Sequence, residues 1–259
     1  MIISPPLSTH KQTSAIRIAL LILMAIIVVP LTLVAYNDTE PHPIALAVAG
    51  AIVVATIAAC VAIGKTVLTI HQEGVRRVSV FGVKEIEWKD VREYRYRVVP
   101  IQTGGGLAGV LVMAVARRGS SRGMNLDFTL ISNDDRKVKI SSNFRDADQA
   151  IGKILGAIHP AIQKRVDEQL DAGGAVFGNV RLSRRTLQWK EKEPFPLSEI
   201  TRAELNGQKL SIRRKDKLFD AVSTPSHKVP NVLLLLETME KLGVAKSGVP
   251  TVDPLARVR

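Results

Sequence analysis

Apolar and polar positions divide this chain into a front that is almost uniformly hydrophobic and a remainder in which the two kinds alternate. Two apolar runs, 18–36 and 43–64, lie six residues apart, and neither holds a charge. A helix rises about 1.5 Å per residue and the hydrocarbon layer is about 30 Å thick, so roughly 20 apolar residues cross it. Both runs meet that length. A helix also satisfies its own backbone amides, as lipid requires, and Pro30 and Gly50 are tolerated within such helices. The pattern therefore predicts a transmembrane hairpin of two helices over 18–64. The alternatives are a cleaved signal peptide for the first run and a buried soluble helix for the second. Against the former, the run exceeds the roughly 7 to 15 residues of a signal-peptide core, and Leu33-Val34-Ala35-Tyr36-Asn37 offers no clear cleavage site. Ala47, Ala51, Ala55 and Ala59 recur every fourth residue and would line one face of the second helix as a close-packing seam.

Charge sets the orientation expected of this hairpin. Loop 37–42 carries Asp38 and Glu40 and no Lys or Arg, whereas Lys11 and Arg17 precede the first run and Lys65, Arg76 and Arg77 follow the second. By the positive-inside rule both termini face the cytoplasm, giving a multi-pass protein of the cell inner (plasma) membrane. The formal charge is +12, and the four charged residues before position 65 cancel, so the whole excess belongs to the 195 residues after position 64. A basic segment tethered beside an anionic leaflet gains about 1 kcal/mol per Lys or Arg near the surface, fading within a Debye length. Anionic lipid headgroups are the expected partner, with nucleic acid the weaker one.

Downstream the alternation has the period of strands, and it occurs twice. Leu68-Thr69-Ile70, a turn at Gln72-Glu73-Gly74, the stretch 75–80 and Ile86-Glu87-Trp88-Lys89-Asp90-Val91 form the first set. Val180-Arg181-Leu182, a turn at Arg184-Arg185, Thr186-Leu187-Gln188-Trp189 and Phe195-Pro196-Leu197-Ser198-Glu199-Ile200 form the second. Trp88 and Trp189 are expected to be partly buried near corresponding strands. Hairpins are expected at corresponding places in the two copies, about Asn133-Asp134-Asp135 in the first and Asn206-Gly207 in the second, whose residues favour tight turns. Each copy ends in an amphipathic helix: over 146–158, with Ala150, Ile151, Ile154, Leu155 and Ile158 on one side, and over 230–242, with Val232, Leu233, Leu236 and Met239.

The chain thus divides into a cytoplasmic N-terminal segment (1–17), the hairpin (18–64), a first unit (66–160), a connector (161–174), a second unit (175–243) and a disordered tail (244–259). The expected fold class is α+β, each unit with its own small core. Gly74-Val75, Ile86-x-Trp88-x-Asp90-Val91, Ser141-Ser142-Asn143-Phe144-Arg145-Asp146, Val176-Phe177-Gly178 and Val229-Pro230-Asn231 punctuate these units. In that setting the pattern resembles the bacterial pleckstrin-homology-like domains, small bent antiparallel sheets capped by a C-terminal helix. More closely, 66–243 is similar to an uncharacterised family of bacterial membrane proteins that carry such domains behind transmembrane helices. The resemblance implies a fold and brings no catalytic signature. In pleckstrin-like domains the early loops are the usual anion-binding edge, which implies that role for Arg76, Arg77, Arg184 and Arg185, with Arg213, Arg214, Lys215 and Lys217 at the next hairpin. The competing expectation is that these cations line solvated strand edges and discourage aggregation.

One stretch departs from that pattern. Gly104-Gly105-Gly106 is followed by an apolar run, 107–116, too short to span a bilayer. It is expected as a buried strand or short core helix, or as an insertion into the membrane interface anchored by Arg117, Arg118 and Arg122. The glycines lack the Gly-Lys-Ser/Thr that completes a phosphate loop. The single cysteine, Cys60, lies in the second apolar run and the histidines at 10, 42, 71, 159 and 227 are scattered, so no disulfide, metal or cofactor is expected. Nor does any motif set a nucleophile or acid beside a base. The expected function is that of a non-enzymatic, membrane-anchored protein whose basic tandem units bind anionic lipid or phosphate groups. The alternative is a protein-interaction scaffold that offers a sheet edge or helix groove to a protein partner.

Overall fold

The computed structural model describes residues 4–12, 14–37, 43–100, 124–206, 208–215, 217 and 219–244. The loop 38–42, the segment 101–123 with its glycines, apolar run and three arginines, Gly207 and the tail from 245 lie outside the described residues. Among those described, the fold is α+β with four antiparallel sheets and four α-helices.

Helices α1 (Ser14–Asn37) and α2 (Pro43–Gly64) carry the two apolar runs and lie against one another. Near the start of α1 the Arg17 carbonyl accepts from Cys60 Sγ at 3.9 Å, and the Arg17 guanidinium covers Gly64, where an added Cβ would come within 2.7 Å of it. The start of α1 therefore meets the end of α2. Helix α2 is long and apolar enough to cross a membrane and is almost bare of protein cover; in α1 the apolar stretch among the described residues is the shorter Leu20–Leu33.

The residues ahead of α1 belong to a sheet. Strand β1 (Pro6–Lys11) pairs antiparallel with β2 (Val67–His71), setting Lys11 opposite Val67 and Thr9 opposite Thr69. Read alone, 1–17 stands apart from the first unit, because Pro-Leu-Ser-Thr-His-Lys has little apolar alternation; the strand forms because β2 offers it an unpaired edge. From β2 the sheet continues through β3 (Gly74–Ser79) to β4 (Gly82–Glu87). A 3-10 turn, Trp88–Asp90, leads into a three-stranded sheet of β5 (Val91–Pro100), β6 (Met124–Ser132) and β7 (Lys137–Ser141), followed by α3 (Ala147–Asp171).

That order then recurs. Strands β8 (Ala175–Phe177), β9 (Val180–Leu182), β10 (Thr186–Trp189) and β11 (Phe195–Pro196) form a four-stranded sheet. After a 3-10 turn, Leu197–Glu199, come β12 (Ile200–Asn206), β13 (Lys209–Arg214) and β14 (Asp220–Pro225), then α4 (Val232–Lys241). The likeness extends to backbone detail. Asp146 and Asn231, which precede α3 and α4, are both left-handed (φ 54° and 51°), and β5 and β12 each slip register just after their first residue.

Four expectations change. Helix α3 passes through Pro160 to Asp171, so it does not stop near residue 158 and most of 161–174 continues it: buried Ile158, Ile162, Val166 and Leu170 carry the apolar stripe on at fourfold spacing and outweigh the bond that proline forfeits. Trp88 opens the turn after β4 whereas Trp189 closes β10, so the counterpart of Trp88 is Leu197. The Asn206 turn joins β12 to β13, the counterparts of β5 and β6, so segment 101–123 occupies a connection that the second copy makes in two residues. Finally, the two copies do not hold separate cores, because buried side chains from Leu68 to Val244 form one cluster.

The joint is centred on Tyr94 of β5. Its N–H donates to Asn231 Oδ1 (2.9 Å) and its carbonyl accepts from the Asn231 N–H (2.9 Å). Its Oη accepts from the Leu234 N–H (3.2 Å) and shares a hydrogen bond with His159 Nε2 (3.1 Å), while the ring stacks on Phe128 at 5.4 Å. Burial pushes this phenol well above its usual pKa. Nearby, His227 is held below the usual imidazole range by partial burial and then by Arg97, Lys228 and Arg95. A base whose folded pKa is depressed takes up protons more readily when unfolded, so its contribution is intact above pH about 6.5 and is lost as pH falls below that value. Thermal unfolding between about pH 7.5 and 5.5 is expected to show this loss, and His227→Gln to reduce it.

Candidate functional site

In the second unit, alternation buries Ala175, Phe177, Val180, Leu182, Leu187 and Trp189 and turns Val176, Arg181 and Gln188 outward. Register aligns the outward set: Val176 stands opposite Arg181, and Arg181 opposite Gln188. At one end of this row the β8–β9 turn, Gly178 and Asn179, and the β10–β11 turn, with Lys190, Glu191 and Lys192, frame an open cleft of ≈ 770 Å³. Its lining carries three cations, Arg181, Lys190 and Lys192, and one carboxylate, Glu191.

The frame is fixed by its backbone. The Lys190 N–H donates to Asn179 O at 2.7 Å, the Lys192 N–H to Trp189 O at 3.2 Å, and Gln188 Nε2 to Lys192 O at 3.1 Å. Lys190 is left-handed (φ 55°), and its ammonium lies 5.6 Å from the centre of the Trp189 ring. Gly178 (φ 65°) sits where a Cβ would come within 2.9 Å of Pro230 Cδ, so the turn needs glycine twice over, for its φ and for the close approach. Such a mouth suits a small anion, a phosphate or carboxylate arriving from solvent, through charge-assisted hydrogen bonds. In the first unit the corresponding end of the sheet, between β1 and β2, is where α1 and α2 depart.

The eight cations singled out in the sequence are not gathered at this cleft. Arg76 and Arg77 lie within β3 and not in a loop. Arg76 meets Glu85 across the strand pair at 3.1 Å; Arg77, half-buried, donates to Lys139 O at 2.8 Å and lies 5.8 Å from the Phe144 ring, with burial lowering its pKa. Arg184 pairs with Asp171 at the end of α3, whose carboxylate raises the arginine's pKa. Arg213 lies 3.7 Å from Asp220, and Arg214 pairs with Glu199 while its guanidinium lies 4.6 Å from the Phe195 ring. Arg185, Lys215 and Lys217 are exposed and their side chains pair with no described residue.

The turn bearing Arg184 and Arg185 is at the opposite end of the sheet from the cleft. Adjacent arginines are conspicuous in a sequence. Arg181, Lys190 and Lys192 are not, because only strand register brings them together, and Lys190-Glu191-Lys192-Glu193 reads as a solvated turn. Among the described residues no three His, Cys, Asp or Glu side chains converge as metal ligands would.

Comparison with curated proteins finds no match. The sequence model of DUF6585, a family of unknown function, matches residues 4–247 and so takes in every described sheet and helix; the chain belongs to that family.

Proposed function

We propose that the protein is a non-enzymatic module of a bacterial inner membrane, in which α1 and α2 cross as a hairpin and two pleckstrin-homology-like units work on the cytoplasmic face, meeting anionic lipid headgroups through their basic surface and the cleft of the second unit. The pairing of β1 with β2 carries this reading. A sheet keeps to one side of a bilayer, so the chain between Lys11 and Val67 crosses an even number of times. If α2 makes one crossing, α1 makes the other. Lys11, Arg17 and Lys65 stand at the sheet-bearing end of the two helices, in keeping with a cytoplasmic flank. Four strands, three strands and a helix, given twice, support the pleckstrin-like assignment.

Two measurements test it. In a Cys60→Ala background, Thr39→Cys is expected to react with an impermeant maleimide from outside the cell and Gln72→Cys only after lysis; the reverse pattern would sink the topology. For lipid, a soluble variant lacking both helices is expected to sediment with vesicles containing anionic lipid, and to detach as salt rises, since exposed charges are screened over about 8 Å at physiological ionic strength. Lys190→Glu with Lys192→Glu is expected to weaken binding more than Arg184→Glu with Arg185→Glu, because Arg184 is already paired with Asp171. Indifference to anionic vesicles even at low salt would hand the basic surface to a protein partner, and with it the scaffold role.

A further inference from the structure

Lys11 and Val67, the strand residues nearest α1 and α2, are paired with each other; Val67 is also paired with Val78, and Val78 with Val83. The β3–β4 turn therefore projects past this level, on the side from which the helices leave. Its central residues, Val80 and Phe81, stand beyond the last pair, Ser79 with Gly82, which puts them about 7 Å past Val67 at ~3.4 Å per residue. Only Lys65 and Thr66 separate Val67 from the end of α2. The turn thus stands at the end of the sheet where α2 ends.

This tip is built against the usual chemistry of hairpin turns, which favours Asn-Gly or Asp-Gly. Here the two residues are Val80 and Phe81, and the bend is supplied by Gly82 (φ 110°) and by the Ser79 hydroxyl, which accepts from the Phe81 N–H at 3.3 Å. Phe81 is 94% exposed, the most exposed large apolar side chain among the described residues, and Val80 and Val83 beside it are 46% and 51% exposed. Lys11, Lys65 and Lys84 are exposed on the same end of the sheet. Contiguous exposed apolar side chains mark a binding surface, and an apolar tip rimmed by lysines has the composition of an interfacial anchor.

We propose that the β3–β4 tip is a membrane foot: Val80 and Phe81 enter the headgroup–acyl boundary of the bilayer that α1 and α2 cross, and so fix the height and tilt of the first sheet above it. This rests on the membrane-anchored reading above. The bilayer is the occupant because the tip projects from the end of the sheet at which α2, apolar and almost bare of protein cover, leaves it. The contact is apolar, so it holds in zwitterionic lipid and in salt that screens the basic surface.

The test uses the full-length chain with Cys60→Ala and one cysteine carrying an environment-sensitive fluorophore, placed by Phe81→Cys, by Gln72→Cys in the turn at the other end of the sheet, or by Ile57→Cys on the exposed side of α2. Each is reconstituted in phosphatidylcholine vesicles containing lipid spin-labelled near the headgroup or deep in the acyl chain. At Ile57 the deep label is expected to quench. At Phe81 the emission is expected to shift to the blue, to be quenched by the shallow label and to lose access to aqueous iodide, unchanged at high salt. Gln72 should answer to iodide alone.

If Ile57 is quenched by lipid while position 81 answers only to iodide, the foot is overturned and the anchor stands. Protection at position 81 from both quenchers means a protein contact, a second copy or another chain, and overturns the foot as well. Iodide access at Ile57 brings down the anchor and the foot with it. A second reading keeps the native phenylalanine: a fluorophore at Lys84→Cys should be quenched by the shallow label, and adding Phe81→Asp should abolish that quenching. Quenching that survives Phe81→Asp overturns the proposal.

Discussion

Tyr94→Ala is expected to lower stability by about 3–5 kcal/mol, a large share of what a fold of this size holds. The ring is fully buried and stacked on Phe128, so truncation opens a cavity at the junction of the two copies. It also removes the hydroxyl that serves the Leu234 N–H and His159 Nε2. Tyr94→Phe separates these losses, keeping the ring and forfeiting only the hydroxyl, at about 1–3 kcal/mol for polar groups left unpaired. The main-chain bonds with Asn231 survive in both variants. Since this residue joins two sheet-and-helix copies through one core, the alanine variant should also broaden or split the unfolding transition. Urea denaturation followed by circular dichroism decides the matter. An alanine variant that loses less than about 1 kcal/mol would show that the joint lies outside the cooperative unit.

The second large effect concerns the strand ahead of the helices. A chain that begins at residue 66 is expected to fold poorly or aggregate, because it lacks β1. Without β1 the edge of β2 is bare, and the bonds from the Arg145 N–H to Lys11 O (2.9 Å) and between His10 Nδ1 and Arg145 O (3.0 Å) are gone, together with the bridge from Gln12 to Phe144. Replacing 13–65 by Asn-Gly is expected to do the opposite. Lys11 and Val67 already face each other as a hairpin pair, so a two-residue turn between Gln12 and Thr66 closes the sheet with native register and yields a soluble, cooperatively folding protein. Gel filtration and thermal unfolding of the two variants compare them directly. Equal stability would make β1 incidental.

What could be read from the sequence follows from which side chains do the stabilising. Helix α2 is read to the residue, Pro43–Gly64, because its apolar composition alone sets its limits. The strands around Val180 and Leu187 are equally clear, since burial on one face imposes strict alternation. Strands β1 and β14 are not. Pro-Leu-Ser-Thr-His-Lys and Asp-Ala-Val-Ser-Thr-Pro owe their conformation to a neighbour's open edge, a property of the partner strand that leaves little trace in their own residues. The same holds for the cleft, where Arg181, Lys190 and Lys192 meet only because β9 and β10 pair in one register. Helix α3 was obscured for another reason, the presence of Pro160, which marks a boundary in isolation and is overridden by four buried side chains beyond and before it.

The pairing of β1 with β2 also has a bearing on biogenesis. On the membrane-anchored reading, Lys11 leaves the ribosome 56 residues ahead of its partner Val67, a wait of about 3–11 s at ordinary synthesis rates. The polar, proline-led composition of β1 lets it spend that interval in water without recruiting another edge. Once β2 is made, the sheet closes only if both strands are on the same side, that is, if both helices have inserted or neither has. A chain with one helix left behind holds its two strands apart across the bilayer and exposes the edge of β2 to chaperones and proteases. On that reading closure of the first sheet separates chains whose helices have shared one fate from those that have threaded one helix without the other.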